Sequence, residues 1–209
     1  MTDHATERSA PRRSLNRAAA GAIVAILAAL VLAADQFAKY LALTTLPFQQ
    51  PVPVWGDALQ FYLTRNPGAA FSLLEGQTWI FTIVMTVAAV VIVSLTVTRV
   101  RARVWAIVLG LLLGGILGNL SDRLFRDPGF LVGHVVDFIN TPWMWLGMNP
   151  AIYNVADMFI VTMMIGVALL VLIGVRLDGS RERRAADESA AMEPAAPGED
   201  DTTTAPREA

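Results

Sequence analysis

Four runs of residues without a single charge, each long enough to cross or nearly cross a bilayer, constrain this chain more than any other feature. Trp79–Thr98 is twenty such residues, Val104–Leu120 seventeen and Met158–Val175 eighteen. Ala18–Ala34 adds seventeen more, and its helical pattern continues through Asp35 and Lys39 to about Leu43. An α-helix rises about 1.5 Å per residue, so roughly twenty residues cover about 30 Å of hydrocarbon. Lipid offers the backbone no hydrogen bonds, so such runs must close their own as helices. Composition agrees: 55% hydrophobic residues, 16% charged and a mean hydropathy of +0.51 lie outside soluble usage. A basic head before the first run, with Ala33-Ala34 imitating a cleavage site, also describes a signal peptide. Three further spanning segments follow, and the run is long for a signal sequence, so it reads as the first span.

The connections differ in kind. Pro47, Pro51 and Pro53 forbid a helix after the first span, and Leu59–Thr64 alternates as a half-buried strand does. Arg65-Asn66-Pro67-Gly68 follows as a turn. A connection of about thirty residues is too long for a simple link, and such loops are usually functional. Arg99, Arg101 and Arg103 mark a short turn between the second and third spans. The N-terminal tail is also basic, and so is Arg176–Arg184. Four alternating helices bring all three to one side, which arginine bias makes cytoplasmic. Both long loops, 46–78 and 124–153, then face outward. Lys39, Arg65, Arg123 and Arg126 fall on that outer side, three of them beside polar clusters, and read as site members. The chain divides into a disordered basic tail over 1–17, a transmembrane domain over 18–175 and a disordered charged tail over 176–209. The fold class is an all-α membrane protein: four transmembrane helices with a small β-containing loop domain on the outer membrane surface.

The polar residues gather in one stretch, Gly114–Asp157. Ionisable groups within a span cost about 2.5–3.5 kcal/mol each at a helix centre and mark functional sites. Asp137 follows two valines and precedes Phe138 and Ile139, which predicts a buried carboxylate. Asp157 begins the last helix three residues after Asn154, on the same face. Two carboxylates close together in a low dielectric cannot both ionise, so they share a proton. One can then activate water while the other polarises a carbonyl, as in aspartic proteases. The alternative, open on chemistry alone, is that each Asp caps a helix end or pairs with an arginine. Asp122 is expected to pair across helices with Lys39, and Arg123 with another carboxylate. Asn119 and Asp122 are co-facial, and Asp35 and Lys39 can pair locally; this second group reads as scaffolding. His134 reads as an interfacial histidine, and Trp55, Trp79, Trp143 and Trp145 as an aromatic belt.

These residues resemble those of the bacterial lipoprotein signal peptidases (signal peptidase II), a family of four-helix membrane aspartyl proteases. Five blocks stand in the family's order. They are Asp35-Gln36-Phe37-Ala38-Lys39, Asn66-Pro67-Gly68-Ala69-Ala70-Phe71-Ser72 and Gly114–Arg123, then Val135-Val136-Asp137-Phe138-Ile139 and Tyr153-Asn154-Val155-Ala156-Asp157. The resemblance covers about Ala18–Val175. It implies cleavage of prolipoproteins before a lipid-modified cysteine, with Asp137 and Asp157 as catalytic dyad and no metal or cofactor. Asp35, Lys39, Asn66, Asn119, Asp122, Arg123 and Asn154 match positions that support the site or bind substrate. It also implies membrane lipid as a partner, inhibition by the cyclic peptide globomycin, and a multi-pass location in the bacterial inner (cytoplasmic) membrane with both termini cytoplasmic. Pro67 stands where Thr is common in the family and Tyr153 where Phe is common.

Other classes are narrower fits. A transporter or proton channel should carry ionisable residues at several depths, whereas these gather toward one side. A metal-dependent hydrolase on Asp122, Asp137, Asp157 and His134 would lack any His-Glu-x-x-His motif. The chain has no cysteine, which excludes thiol chemistry and disulfides, and its net charge of -2 gives no sign of a nucleic-acid partner.

Overall fold

The computed structural model describes residues 15–68, 77–145 and 151–180. Both tail readings, the loop block Ala69–Ser72 and the indole of Trp145 lie outside what is described. Four long apolar helices are present: α1 (Arg17–Thr45), α2 (Thr78–Thr98), α3 (Arg103–Phe125) and α4 (Val155–Leu172). Four strands stand between them: β1 (Pro51–Trp55), β2 (Leu59–Asn66), β3 (Val135–Asn140) and β4 (Ile152–Tyr153). The molecule is thus mostly helical, with a small antiparallel sheet ordered β1-β2-β3-β4.

α1 starts where the Asn16 side chain accepts the Ala19 N–H at 2.7 Å, an N-cap that satisfies one orphan donor. It stops at Leu46, whose extended backbone is what a residue before proline must adopt. Its buried face is the stripe Ala20, Val24, Ala28, Val31, Asp35, Lys39, Ala42. The two charged residues therefore continue the apolar stripe instead of turning away from it.

α3 is the central helix, much more buried than the other three. Its glycines let the neighbours approach. A Cβ on Gly114 would stand 2.6 Å from Val31 Cβ, and one on Gly118 2.6 Å from Asp35 Oδ2. On another side a Gly115 Cβ would stand 2.7 Å from the Ala156 carbonyl. Small residues four apart are how membrane helices gain close packing when lipid supplies no hydrophobic drive. Here they clamp α1 and the first turn of α4 onto α3.

The two ends of the bundle are distinct. At one, Leu15 N–H donates to Arg101 O and Arg101 N–H to Leu177 O, both at 2.8 Å. The start of α1, the α2–α3 turn and the segment after α4 therefore meet, as alternating spans require. At the other end lies the sheet. β1 holds its edge, where Pro51 and Pro53 cost no ladder bonds. Val136 and Phe138 pack with Leu63 against Ala42 of α1. Asp137, between them, points to the opposite face.

Several boundaries differ from the sequence reading. β2 runs on to Asn66, so the expected turn at 65–68 begins two residues late, because Arg65 and Asn66 find partners in Val136 and Val135. β3 is a strand that no alternation announced: it is covered on both faces and reads as a plain apolar run. α3 continues past Leu120 to Phe125, carrying Asp122 and Arg123 within the helix. α4 ends at Leu172, and Gly174 follows with φ +70°, a left-handed turn suited to glycine. Trp105 is a fifth tryptophan with another role: buried on α3, it donates its Nε1–H to Val175 O at 2.9 Å.

Candidate active site

Asn154 is the residue through which the two aspartates meet. It is the N-cap of α4 and forms a capping box with Asp157. Its Oδ1 accepts the Asp157 N–H at 2.9 Å, while its own N–H donates to Asp157 Oδ2 at 3.1 Å. With the amide oxygen committed to the helix, the amide nitrogen faces the strand and donates to Asp137 Oδ1 at 2.6 Å. One fully buried side chain thus touches both carboxyl-bearing residues.

The remaining oxygens are also held. Asn66, at the end of β2, donates from Nδ2 to Asp137 Oδ2 at 2.9 Å. Asn119 on α3 donates from Nδ2 to Asp157 Oδ1 at 2.7 Å. Asp137 is 1% exposed, whereas Asp157 is half-buried. Burial first, and the nearby Asp157 charge second, push the Asp137 carboxyl up to about 7 against the pull of its two amide donors. A carboxylic acid that stays protonated near neutrality beside another aspartate is an arrangement suited to acid–base work.

Behind the pair lies a buried charge cluster. The Lys39 ammonium donates to Asp35 Oδ2 at 2.8 Å, Asp122 Oδ2 at 2.8 Å and Asn119 Oδ1 at 2.9 Å. All three of its hydrogens are engaged, and the contact with Asn119 Oδ1 turns that amide's nitrogen toward Asp157. Asp35 also accepts the Ala156 N–H at 2.9 Å, tying α1 to the start of α4. Asp122 accepts the Val136 N–H at 3.1 Å, tying α3 to β3. Arg126 closes the cluster on Asp122 at 2.6 Å, so two carboxylates face two cations. Buried ions are tolerated only when paired and fully hydrogen-bonded, and here they are.

The expected pairings of Lys39 with Asp35 and Asp122 are therefore present. The expected partner of Arg123 is not. Its guanidinium donates to the carbonyls of Asn66, Pro67, Gly68 and Gly133 at 2.7–3.3 Å and lies 5.7 Å from the Phe81 ring centroid. A planar five-donor fork suits a ring of carbonyls, and Asp122 is already taken by Lys39 and Arg126. Arg123 thus holds the segment that begins at Asn66. Gln36, quoted above without a role, donates to Asp122 Oδ1 at 3.2 Å and to Gly118 O at 3.1 Å. Its position beside Asp35 was the available signal.

His134 is not at the pair. It lines a separate cavity of about 240 Å³ with Arg65, Phe125 and Asp127. Burial and the charges of Arg123 and Arg65 lower its pKa, so its imidazole is neutral at pH 7. Asp157 does cap its helix, as the alternative had it, but among the described residues Asp137 caps no helix and pairs with no arginine. Among the described residues, no three acidic or imidazole side chains converge to hold a metal ion.

Fold and site together define a polytopic helical membrane protein with a buried aspartate pair where its sheet meets the bundle. The model of the signal peptidase (SPase) II family matches residues 27–176. The lipoprotein signal peptidase of Leifsonia xyli subsp. xyli is 44% identical over 95% of both chains. That of Rhodococcus jostii is 43% identical over 75% of this chain and 76% of its own. A solved bacterial membrane enzyme superposes with a TM-score of 0.63 at 27% identity, over 77% of this chain and 91% of that one. The chain belongs to the signal peptidase II family.

Proposed function

We propose that this chain is an aspartic endopeptidase of the bacterial inner membrane that removes signal peptides from lipidated prolipoproteins, cutting before the diacylglyceryl-modified cysteine. The observation that carries this is the joining of Asp137 and Asp157 through Asn154, with every carboxyl oxygen accepting one N–H. Each oxygen keeps a second lone-pair direction for a proton, a water or a substrate carbonyl.

In the proposed reaction the pair starts with one proton, held by Asp137. Asp157, the more accessible acid, takes a proton from water as the oxygen attacks the scissile carbonyl. Asp137 donates its hydrogen bond to the carbonyl oxygen and stabilises the charge that develops there. Collapse of the tetrahedral intermediate breaks the C–N bond, and the proton on Asp157 passes to the departing amine of the cysteine. The new carboxyl leaves on the signal peptide, and the pair again holds one proton. Asp35, Lys39, Asn119, Asp122 and Asn154 keep the two acids in register, and Asn66 and Arg123 hold the neighbouring loop segment.

Orientation belongs to the same proposal. Arg99, Arg101, Arg103 and Arg176 gather at one end with the start of α1 and the segment after α4, which makes that end cytoplasmic and turns the sheet and the acids outward. Loops 46–78 and 124–153 then lie on the outer surface of the 18–175 peptidase domain. A substrate enters sideways, its acyl chains remaining in lipid while the peptide reaches the acids. Exposed Trp55, Trp79 and Trp143 fit a headgroup-level belt. The testing experiment is a gel-shift cleavage assay on a lipidated precursor with wild type, Asp137→Asn and Asp157→Asn. Processing is expected from wild type alone and is expected to stop on adding globomycin. Near-normal cleavage by either variant removes that residue from the pair.

A further inference from the structure

At the end of the bundle away from the aspartates, α2 and α4 both pack on α3 and leave a groove of about 410 Å³ between them. Its walls are Leu95 of α2, Trp105 and Leu109 of α3, and Val167 and Val171 of α4, with Arg176 among its lining residues. The floor is fixed in place. Trp105 donates to Val175 O at 2.9 Å, and the Arg101 and Ala102 N–H groups donate to Leu177 O at 2.8 and 3.0 Å. Among the described residues, the charge at this end is mostly positive. Arg17, Arg99, Arg101, Arg103 and Arg176 stand at this end, and Asp178 is their acidic neighbour among the described residues. Asp178 is engaged with Ser180 through both its N–H and its hydroxyl.

We propose that this groove is a binding site for one anionic phospholipid, with an acyl chain between α2 and α4 and the phosphate at Arg176. The apolar walls decide for a lipid over an acidic peptide, because they offer a peptide backbone no hydrogen bonds. The arginines decide for a net-negative headgroup over a zwitterionic one. A lipid there fills the gap between the two helices. On the orientation proposed above, this is the inner leaflet.

The test uses the purified full-length chain, delipidated and offered phosphatidylglycerol and phosphatidylcholine in equal amounts, with retained lipid read by native mass spectrometry. Wild type is expected to retain one phosphatidylglycerol per chain in preference, and inorganic phosphate is expected not to displace it. Arg176→Gln should reduce the preference about fivefold, on the usual worth of an interfacial arginine. Val171→Phe, on an exposed face of α4, narrows the groove and keeps Arg176. It should lower retention of both lipids and leave their ratio unchanged. Equal retention by wild type, unchanged preference in Arg176→Gln or unchanged retention by Val171→Phe each overturns the proposal. So does selectivity that appears only after residues 181–209 are removed, because the tail would then occupy the arginines. No step needs peptidase activity, so the outcome is independent of the proposed function.

Discussion

Replacing Asp137 by asparagine changes one atom at the more buried acid of the pair and should alter both rate and stability, in ways that can be separated. The carboxyl is 1% exposed, accepts two amide donors at 2.6 and 2.9 Å, and is pushed up to about 7 from an ordinary 3.8. Between those values the folded chain keeps a proton that the unfolded chain has released. Stability contributed by this group is therefore full below about pH 3.8 and is lost as pH rises toward 7. At about 1.4 kcal/mol per unit, flattening as pH reaches the folded value, the loss from pH 5 to pH 7 is about 2 kcal/mol. Asparagine does not titrate, so that share of the slope disappears in Asp137→Asn. Its own NH₂ must instead face the nitrogen of Asn66 or Asn154, a constant cost of about 1–3 kcal/mol for an unmatched donor. The variant should be less stable than wild type at pH 5, and the gap should close or reverse by pH 8. Thermal unfolding in detergent at pH 5, 6, 7 and 8, run beside the cleavage assay, measures both effects. Parallel stability curves for the two proteins would refute the buried, titrating acid. Retained processing would refute its place in the pair.

The other expectations follow from the same geometry. Asp157→Asn should abolish processing and, by removing the charge that raises Asp137, shift the pH window of the stability loss toward acid, read from the same unfolding series. Asn154→Ala removes the N-cap of α4 and the bridge between the acids. It should cost about 1 kcal/mol of stability and about a hundredfold in cleavage rate, and a rate within threefold of wild type would discredit the bridge. Lys39→Met strands Asp35 and Asp122 with a single cation, a loss of about 3–5 kcal/mol. Poor accumulation in membranes is expected, partly relieved by adding Asp35→Asn; Asp122→Asn should likewise lower stability or rate without equalling the loss in Asp137→Asn. Gly114→Leu would drive side-chain atoms into Val31 and the Ala28 carbonyl. It should loosen the α1–α3 contact enough to lower the unfolding midpoint by several degrees, whereas Gly21→Leu, with open space around it, should not.

Much of this protein was legible along the chain because membrane spans are written locally. Twenty uncharged residues must close their own hydrogen bonds, so Trp79–Thr98 is a helix whatever surrounds it. A four-residue spacing paired Asp35 with Lys39. The strand at Val135–Asn140 left no such trace. Covered on both faces, it lost the alternation that marks Leu59–Thr64 and became visible only once β2 and α1 lay against it. Arg123 was misread for a related reason. Charge alone suggested a carboxylate partner, but which acceptor a guanidinium meets depends on which elements converge around it.

The sequence by itself determined four spans, their alternation, and the gathering of acids toward one side, because hydrophobic length and charge act residue by residue. Only the tertiary structure decided that Asn154 would stand between Asp137 and Asp157, and that Lys39 would turn the Asn119 amide toward the second of them. Hydrogen bonds act over about 3 Å. These side chains lie 17 to 80 positions apart in the chain, so helix packing across the glycines of α3 had to bring them within reach.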